Sequence, residues 1–315
     1  MNTLFRAVGS SKQSFHQYHN RLILKLEEEE YLRYMISEIR ANHPTMGIRD
    51  LYFKIGPQTM GRDIFEEFCK QEGFVLKKKK AFRGTTDSSG VKRFENLTLN
   101  LKLTALNQLW VSDITYFEIS GKYSYLTFIM DKFSRKILGY SVSTRLTTEA
   151  TTLVALKMAI RSRNKHKLTD LILHSDGGGQ YYAGIFLKLT QAYEIKNSMG
   201  KYPWENPYAE RINGIIKNNY LQHRSIDSFQ KLVKEVDRSV TLYNNDKPHK
   251  GLKRLTPVEY ENRILALGKQ SDGDKSATED ENQKPEGNQP FGLMGNNPRD
   301  QISLQNMNVN IVEHR

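Results

Sequence analysis

The chain has 315 residues, 38% of them hydrophobic, which is enough for one large and one small domain. Its formal charge of +12 indicates an anionic partner, and the excess lies in residues 1–268, because the stretch from Lys269 onward has five Lys or Arg against eight Asp or Glu. One cysteine and no apolar run of about 18 residues argue against a disulfide-stabilised or membrane protein, so we expect a cytoplasmic protein that binds nucleic acid.

Residues 1–80 are predicted to be helical and to bind DNA. A first short unit precedes a longer helix from about Leu22 to Ala41, and two short helices follow, separated by "GPQTMG". That separation is helix-turn-helix spacing, with Arg49 in the first short helix and Arg62 opening the second. A plain helical hairpin with a solvated charged face fits the pattern equally well. Cys69 repeats with apolar neighbours at helical spacing, so we expect it in a small core.

Residues 81–104 are predicted to be a basic linker. The stretch is polar and has no periodicity, and it follows a run of four lysines: Lys77, Lys78, Lys79 and Lys80. Such a run is usually a solvated segment, although a flexible basic strap can also follow a DNA backbone.

Residues 105–267 are predicted to form an α/β domain. Three segments rich in β-branched and aromatic residues, "QLWVSDITYFEI", "KYSYLTFIMDKFS" and "RKILGYSVST", predict three antiparallel strands joined by hairpins. A helix, a fourth strand in "LTDLILHSD", a second helix, a short strand near "IKNSM" and a helix from about Asn206 to Leu221 follow. This order predicts a sheet with helices packed on it. The charged tail from residue 268 to 315 is predicted to be disordered.

Two carboxylates lie where buried strands should be. Asp113 is in the middle of the first strand, and Asp176 ends the fourth strand, before Gly177, Gly178 and Gly179. On adjacent strands these carboxylates would repel each other unless a divalent metal lies between them, which favours Mg²⁺. The three glycines lack the lysine of a phosphate-binding loop and predict a tight turn that leaves room beside Asp176.

A third acid lies on the helix that begins near Asn206. Glu210, Asn213 or Gly214, and Lys217 recur at helical spacing and therefore share one face. That face combines an acid for a metal with a base for a phosphate.

These stretches resemble the DDE transposases of bacterial insertion sequences, in the branch with a retroviral-integrase-like catalytic core. The resemblance runs from about residue 35 to 265 and is carried, in order, by "HPTMGIRDLY", "WVSDITYF", "HSDGGGQY", "NPYAERINGIIKNNYL" and "YNNDKPHKGLKRLTPVEY". It implies a ribonuclease-H-like fold with a mixed sheet flanked by helices. It also implies that Asp113, Asp176 and Glu210 are the catalytic, metal-binding triad, that Lys217 contacts a phosphate, and that the N-terminal helices bind DNA.

The implied activity is metal-dependent DNA cleavage and strand transfer at the ends of an insertion sequence. Two Mg²⁺ ions, with Mn²⁺ as a substitute, would activate the attacking hydroxyl and stabilise the leaving oxygen. The partners would be double-stranded DNA, as element ends and target, and further copies of the chain in the nucleoid; the resemblance also suggests a DNA-binding segment from an upstream reading frame. The alternatives are a hydrolytic nuclease of the same fold and a DNA-binding regulator with an inactive core.

Two departures from the family bear on the third acid. Only 33 residues separate Asp176 from Glu210, because the intervening loop is shorter than usual, and Glu205 stands where the family commonly has an aspartate before an asparagine. Glu205 is therefore a rival metal ligand. Glu210 is preferred because Pro207 fits the first helical turn and places Glu210 inside the helix. The chain also cannot hold a His/Cys zinc site of the integrase type, since one cysteine is too few.

The remaining candidates have structural explanations. His174, at a strand end, is given no catalytic role, and Trp110 and Tyr116 are predicted to be core residues. Tyr202 and Trp204 lie in the loop before the catalytic helix, where they could stack on unpaired bases or form a hydrophobic staple.

Overall fold

A computed structural model describes residues 11–76, 94–164 and 168–277, together with Phe5 and Gly9. By contacts the chain divides into two units, Met1–Leu267 and Gly268–Arg315. Lys77, Lys78, Lys79, Lys80 and most of the predicted linker and tail lie outside the described residues, so the domain boundaries stay predictions. Within the described part, no helix is both long and apolar enough to cross a membrane.

Within residues 11–76, the N-terminal region has three helices: α1 (Lys12–Asn42), α2 (Ile48–Ile55) and α3 (Arg62–Gln71). The two short helices confirm the predicted pair of helices. The prediction that the long helix begins near Leu22 is wrong. Helix α1 begins at Lys12 because the Ser11 side chain accepts a hydrogen bond from the Ser14 amide at 3.0 Å and caps it.

A small apolar core holds these three helices together. It comprises Leu32, Ile36, Ile39, Met46, Leu51, Met60, Phe65, Phe68 and Cys69. Cys69 is fully buried, as predicted, and burial raises its pKa to about 11. Its thiol is therefore protonated at neutral pH, which fits a packing role.

The sheet has five strands: β1 (Leu109–Ile119), β2 (Lys122–Asp131), β3 (Ile137–Ser143), β4 (Ile172–Ser175) and β5 (Lys196–Met199). Their spatial order is β3-β2-β1-β4-β5. The first three strands pair antiparallel, as predicted, while β4 pairs parallel with β1 and β5 pairs parallel with β4. The first hairpin turns at Ser120 and Gly121, both with positive φ (48° and 77°), a backbone that matches the twist of the strands.

Helices cover both faces of the sheet. On one face, α4 (Thr152–Arg163) and α5 (Gly184–Ala192) bury an apolar layer around Trp110. On the other, α6 (Pro207–Gly214) and α7 (Phe229–Asn245) bury a second layer that includes Val111 and Phe128. The predicted α/β order of elements is confirmed.

The predicted helix from Asn206 to Leu221 is present, but it is not one regular α-helix. After α6 the chain continues as a π-helix over Ile215–Tyr220 and a 3₁₀ turn over Leu221–His223. π-Turns are rare and are found mostly at functional sites. Helix α8 follows α7 and spans Pro257–Ala277.

Of the two aromatic residues of β1 predicted to be core, Trp110 is fully buried but Tyr116 is 58% exposed. The prediction for Tyr116 is wrong because β4 pairs with β1 only over Leu109–Val111. Beyond that point β4 no longer pairs with β1. The Tyr116 ring meets Tyr123, at the other end of the hairpin, edge-on at 5.2 Å and lies 4.7 Å from the Lys217 ammonium group.

A polar network joins the helical region to the segment after α6. His43 is buried, and its ring nitrogens hydrogen-bond the Tyr220 hydroxyl at 3.0 Å and an Asp246 carboxylate oxygen at 2.6 Å. Lys54 of α2 also binds Asp246. Although partial burial opposes it, the hydrogen bonds from Lys54 and His43 lower the pKa of Asp246, so this carboxylate is ionised.

Helix α4 approaches β3 so closely that Gly139 has no space for a side chain. A Cβ at this position would overlap the Ala155 carbonyl oxygen and lie 2.6 Å from the Ala159 amide nitrogen. We predict that Gly139→Ala lowers the free energy of unfolding by about 3 kcal/mol, because backbone atoms must move apart. Urea denaturation measures this loss.

Gly184, the first residue of α5, is the matched control. A Cβ there would meet nothing within 4 Å, so Gly184→Ala should leave the unfolding midpoint unchanged or raise it slightly. Equal midpoints for the two variants would contradict the close packing of α4 on β3.

Candidate active site

The pairing of β1 with β4 brings Asp113 and Asp176 side by side. Val111 is opposite His174 in this parallel pair. Two residues further along each chain, on the same face, stand Asp113 and Asp176. The predicted adjacency of these two acids therefore follows from the register of the sheet.

Helix α6 places its polar face over the same point. Pro207 occupies the first turn, as predicted, and Glu210 follows in that turn. One turn further on, the Asn213 amide donates a hydrogen bond of 2.9 Å to a carboxylate oxygen of Asp113. The predicted shared face of Glu210 and Asn213 therefore points toward β1.

The three carboxylates interact through their charges. Burial, then repulsion by Asp176, and then repulsion by Glu210 raise the pKa of Asp113 to about 7, although hydrogen bonds from the Ile114 amide and Asn213 oppose the shift. Burial also raises the pKa of Asp176 and of Glu210. The site thus holds more negative charge than its protein neighbours compensate.

This charge fits a cation with hard oxygen ligands. Carboxylate oxygens are the ligands that Mg²⁺ prefers, and a nearby divalent charge would offset the repulsion that raises the pKa of Asp113. Among the described residues, however, no three His, Cys, Asp or Glu side chains converge closely enough to form a ready metal-binding group. The three carboxylates therefore lie in the same region of the sheet, but in this structure they are not close enough together to coordinate one ion.

The glycine-rich segment forms a tight turn beside Asp176. The Gly178 amide donates to an Asp176 carboxylate oxygen at 3.1 Å, and a Cβ on Gly178 would lie only 3.0 Å from that oxygen. A side chain here would crowd the carboxylate. The turn thus leaves space beside Asp176, as the sequence predicts.

Glu205, the rival third acid, lies in the loop before α6. One of its carboxylate oxygens accepts hydrogen bonds from the main-chain amides of Lys201 at 2.5 Å and Tyr202 at 3.4 Å. Nearby, His174 is buried and shares a hydrogen bond of 2.9 Å between its Nδ1 and the Ser198 hydroxyl. Both side chains thus have structural partners within this part of the chain.

Lys217 lies beside β1, next to the residues that follow Asp113 in the strand. Its ammonium group donates to the Thr115 hydroxyl at 3.2 Å and lies 4.7 Å from the centre of the Tyr116 ring. Thr115 is two residues beyond Asp113 and so shares its face of the strand. Burial lowers the pKa of Lys217. The contacts with Thr115 and Tyr116 were not anticipated from the sequence, although the two-residue strand repeat could have indicated Thr115.

Comparison with known proteins identifies this domain. Residues 104–202 match a family described as "Integrase core domain", and residues 191–257 match a second family of the same description. The chain is 26% identical to the putative transposase InsK for insertion sequence element IS150 of Escherichia coli, over 84% of this chain and 94% of that protein. Together these matches support a transposase of a bacterial insertion sequence with an integrase core domain.

Other relatives belong to the same group. An uncharacterized 31 kDa protein of insertion element IS600 from Shigella sonnei is 29% identical over 74% of this chain and 87% of that protein. A putative transposase for IS986/IS6110 from Mycobacterium tuberculosis is 31% identical over 50% of this chain and 58% of that protein.

Two solved viral structures align with parts of the chain. The HTLV-2 integrase catalytic core domain, solved in complex with magnesium, aligns at a TM-score of 0.39 and 20% identity, over 49% of this chain and 96% of that one. A simian T-cell lymphotropic virus intasome complexed with a PP2A regulatory subunit aligns at a TM-score of 0.44 and 15% identity, over 72% of this chain and 74% of that one. The integrase-core family and the mixed five-stranded sheet together give the ribonuclease-H-like fold that the resemblance implied.

The predicted DNA-contacting arginines lie outside this integrase core, on the N-terminal helices. Arg49 pairs with Glu66 at 2.9 Å, and Arg62 pairs with Asp63 at 2.8 Å. Both arginine side chains are more than half exposed. They therefore present positive charge to solvent while sharing it with acids.

The raised pKa of Asp113 gives the integrase core a measurable pH dependence. In the presence of a chelator, the unfolding free energy of the wild type should fall by about 4 kcal/mol relative to Asp113→Asn between about pH 4 and pH 8. A folded-state pKa of about 7, above the unfolded value, means that proton binding favours the folded state and that this contribution is lost as the pH rises through 7.

Denaturant titrations across this range measure the difference. The two proteins should be nearly equal in stability at about pH 4, and Mg²⁺ added at about pH 8 should stabilise the wild type more than the variant. Parallel pH profiles would contradict the electrostatic description of the site.

Proposed function

We propose that this chain cleaves DNA at the ends of its insertion element and joins the freed ends to target DNA. Asp113, Asp176 and Glu210 would hold the divalent cations for this reaction. The observation that carries the proposal is the pKa of Asp113, raised to about 7 by burial and by the other two acids. Such a cluster of buried acids destabilises the folded protein unless a cation binds to it.

Oxygen ligands make Mg²⁺ the expected metal, with Mn²⁺ as a substitute and two ions as the expected number. When bound, these ions supply activation of the attacking hydroxyl and stabilisation of the leaving oxygen of the phosphodiester. The chain's own residues orient the ligands: Asn213 holds one oxygen of Asp113, and the Gly178 amide holds one oxygen of Asp176. Each carboxylate thereby keeps one oxygen directed by the protein.

Glu210 is favoured over Glu205 as the third ligand. Repulsion by Glu210 is one of the main causes of the raised pKa of Asp113, and Glu205 is not among those main causes. Glu205 instead accepts two main-chain hydrogen bonds in its own loop. A metal at Glu205 would have to compete with those amides.

Lys217 would bind a phosphate next to the scissile one. Its ammonium group is partly buried beside Thr115, and burial lowers its pKa, so an anion bound there would offset a desolvated positive charge. Arg49 and Arg62 on the N-terminal helices, together with Lys77, Lys78, Lys79 and Lys80, would bind the DNA backbone further away.

Double-stranded DNA is thus the proposed partner, both as element end and as target. An element has two ends, so we propose that a homo-oligomer acts on them together. Two alternative functions would give different products. A hydrolytic nuclease would cleave DNA without joining it, and a regulator with an inactive core would bind DNA without metal-dependent cleavage.

Charge removal at the triad provides the direct test. Asp113→Asn, Asp176→Asn and Glu210→Gln should each lower Mg²⁺- or Mn²⁺-dependent cleavage of element-end DNA by about a thousandfold or more, because each removes a ligand charge without changing volume. Gel analysis of labelled end DNA measures cleavage, and filter binding of the same DNA should be nearly unchanged.

Glu205→Gln is the matched control on the neighbouring acid. It should retain most of the cleavage activity. An inactive Glu205→Gln beside an active Glu210→Gln would reassign the third ligand, and cleavage by all three triad variants would refute the metal-dependent mechanism.

The proposed role of Lys217 is tested separately from the metals. Lys217→Ala should lower strand transfer by about tenfold and reduce crosslinking to a terminal nucleotide, while Mg²⁺ affinity is unchanged, because the lysine contacts phosphate and not metal.

Lys231→Ala controls for a general loss of positive charge. Lys231 lies on α7 and pairs with Asp227 at 3.3 Å, so its removal should leave strand transfer intact. Equal defects in the two variants would rule out a specific role for Lys217.

A further inference from the structure

Two aromatic rings are stacked in solvent beside the candidate active site. Tyr202 and Trp204 lie in the loop between β5 and α6, with ring centres 4.5 Å apart and planes inclined by only 7°. Trp204 is 70% exposed and Tyr202 is 42% exposed. Neither ring belongs to an apolar core of the described residues. The hydrophobic-staple explanation therefore does not hold, because a staple buries its aromatic residue against the helix.

The loop that carries the rings is fixed at both ends. At its start, the Gly200 amide donates to the carbonyl oxygen of Ser175, the residue before Asp176, at 2.9 Å. At its end, the Asn206 side chain donates to the carbonyl oxygen of Ser112, the residue before Asp113, at 2.9 Å. Between these points Glu205 accepts its two main-chain hydrogen bonds. The stacked pair is thus anchored to both strands that carry the first two acids.

A positive charge accompanies the rings. The Lys201 ammonium group lies 5.1 Å from the centre of the Tyr202 ring. One flat aromatic surface and one cation are the two elements with which proteins bind single-stranded nucleic acid: the ring stacks on a base, and the cation neutralises its phosphate.

We propose that Trp204, backed by Tyr202 and flanked by Lys201, is a stacking site for the base of an unpaired nucleotide at the DNA end. This proposal rests on the proposed function, since it takes the DNA end as the bound substrate. A base inside a duplex is covered on both faces by its neighbours, so only a terminal or displaced base can offer a face to Trp204. The pair selects unpaired ends without regard to base identity, because every base has a π-face.

The site also has a consequence for the reaction. The anchors at Ser112 and Ser175 tie the rings to the strands of Asp113 and Asp176, so a base held on Trp204 keeps its strand close to the acids. Stacking would hold the end nucleotide out of the duplex, and the adjoining phosphodiester would become accessible. Tyr202 and Trp204 are positioning residues for the DNA end in this proposal.

The intrinsic fluorescence of the full chain provides the test. The protein has two tryptophans, and Trp110 is fully buried, so an added DNA can quench only Trp204 by direct stacking. The probes are two DNA hairpins with the same stem, one blunt and one with an overhang of about four deoxyadenosines, added in a chelator so that no cleavage occurs. We expect stronger quenching by the overhang hairpin than by the blunt hairpin, whose terminal bases stay paired, and about tenfold or greater preference for the overhang hairpin.

Matched variants separate stacking from other effects. Trp204→Ala and Trp204→Leu should lose the preference for the overhang, while Trp204→Phe, which keeps a π-face, should retain most of it. Tyr34→Ala removes a ring of similar exposure from α1, 62%, and should leave the preference unchanged. Circular dichroism checks that each variant is folded.

The outcomes distinguish this proposal from the proposed function. Equal wild-type affinity for the two hairpins, or an unchanged preference in Trp204→Leu, would overturn the stacking site while leaving the triad experiments unaffected. Conversely, Asp176→Asn should show the full overhang preference even though it cannot cleave. If cleavage persists in the triad variants, the proposed chemistry fails whatever the fluorescence shows.

Discussion

Ionised carboxylates at Asp113 and Asp176 repel each other across two adjacent strands, and burial raises the energy of both. The parallel pairing of β1 with β4 brings the two acids together, because Val111 is opposite His174 and each acid follows two residues later. Neighbouring groups hydrogen-bond these carboxylates but do not neutralise their charge. Asn213 and the Gly178 amide each hold one carboxylate oxygen, and α6 adds a third acid rather than a compensating base. The arrangement is unfavourable for stability alone and becomes favourable when a cation is bound.

Local pattern was sufficient for most of the fold. The alternation of apolar residues around Asp113 and the β-branched content of the first three strands predict the antiparallel part of the sheet, and their hairpin breaks are local turn signals. The start of α1 was missed because it depends on one capping serine, Ser11, in a stretch with weak periodicity. The prediction that Tyr116 is a core residue fails because the pattern of a strand does not reveal how far the neighbouring strand extends. β4 ends early, and that length is set by tertiary pairing.

The site was predictable to a similar degree. Helical spacing correctly placed Glu210 and Asn213 on one face, and residue chemistry suggested the pair of aspartates. Sequence does not reveal that Lys217 contacts Thr115 and Tyr116, because that contact depends on the position of the π-helix Ile215–Tyr220 beside β1. It also could not choose between two explanations of Trp204. Exposure argues against the hydrophobic staple, and exposure of a loop side chain is a property of the assembled fold.

The π-helix over Ile215–Tyr220 makes the number of residues in this segment important for the direction in which Tyr220 points. A π-turn accommodates one more residue than an α-turn, so the segment behaves as an α-helix with an insertion. Removing one residue would let it rewind, and each residue of an α-helix accounts for about 100° of rotation. Tyr220 would then turn away from His43, and the junction between the helical region and the core would lose the hydrogen bond between these two side chains. A chain one residue shorter at this point would have to join the two regions without this contact.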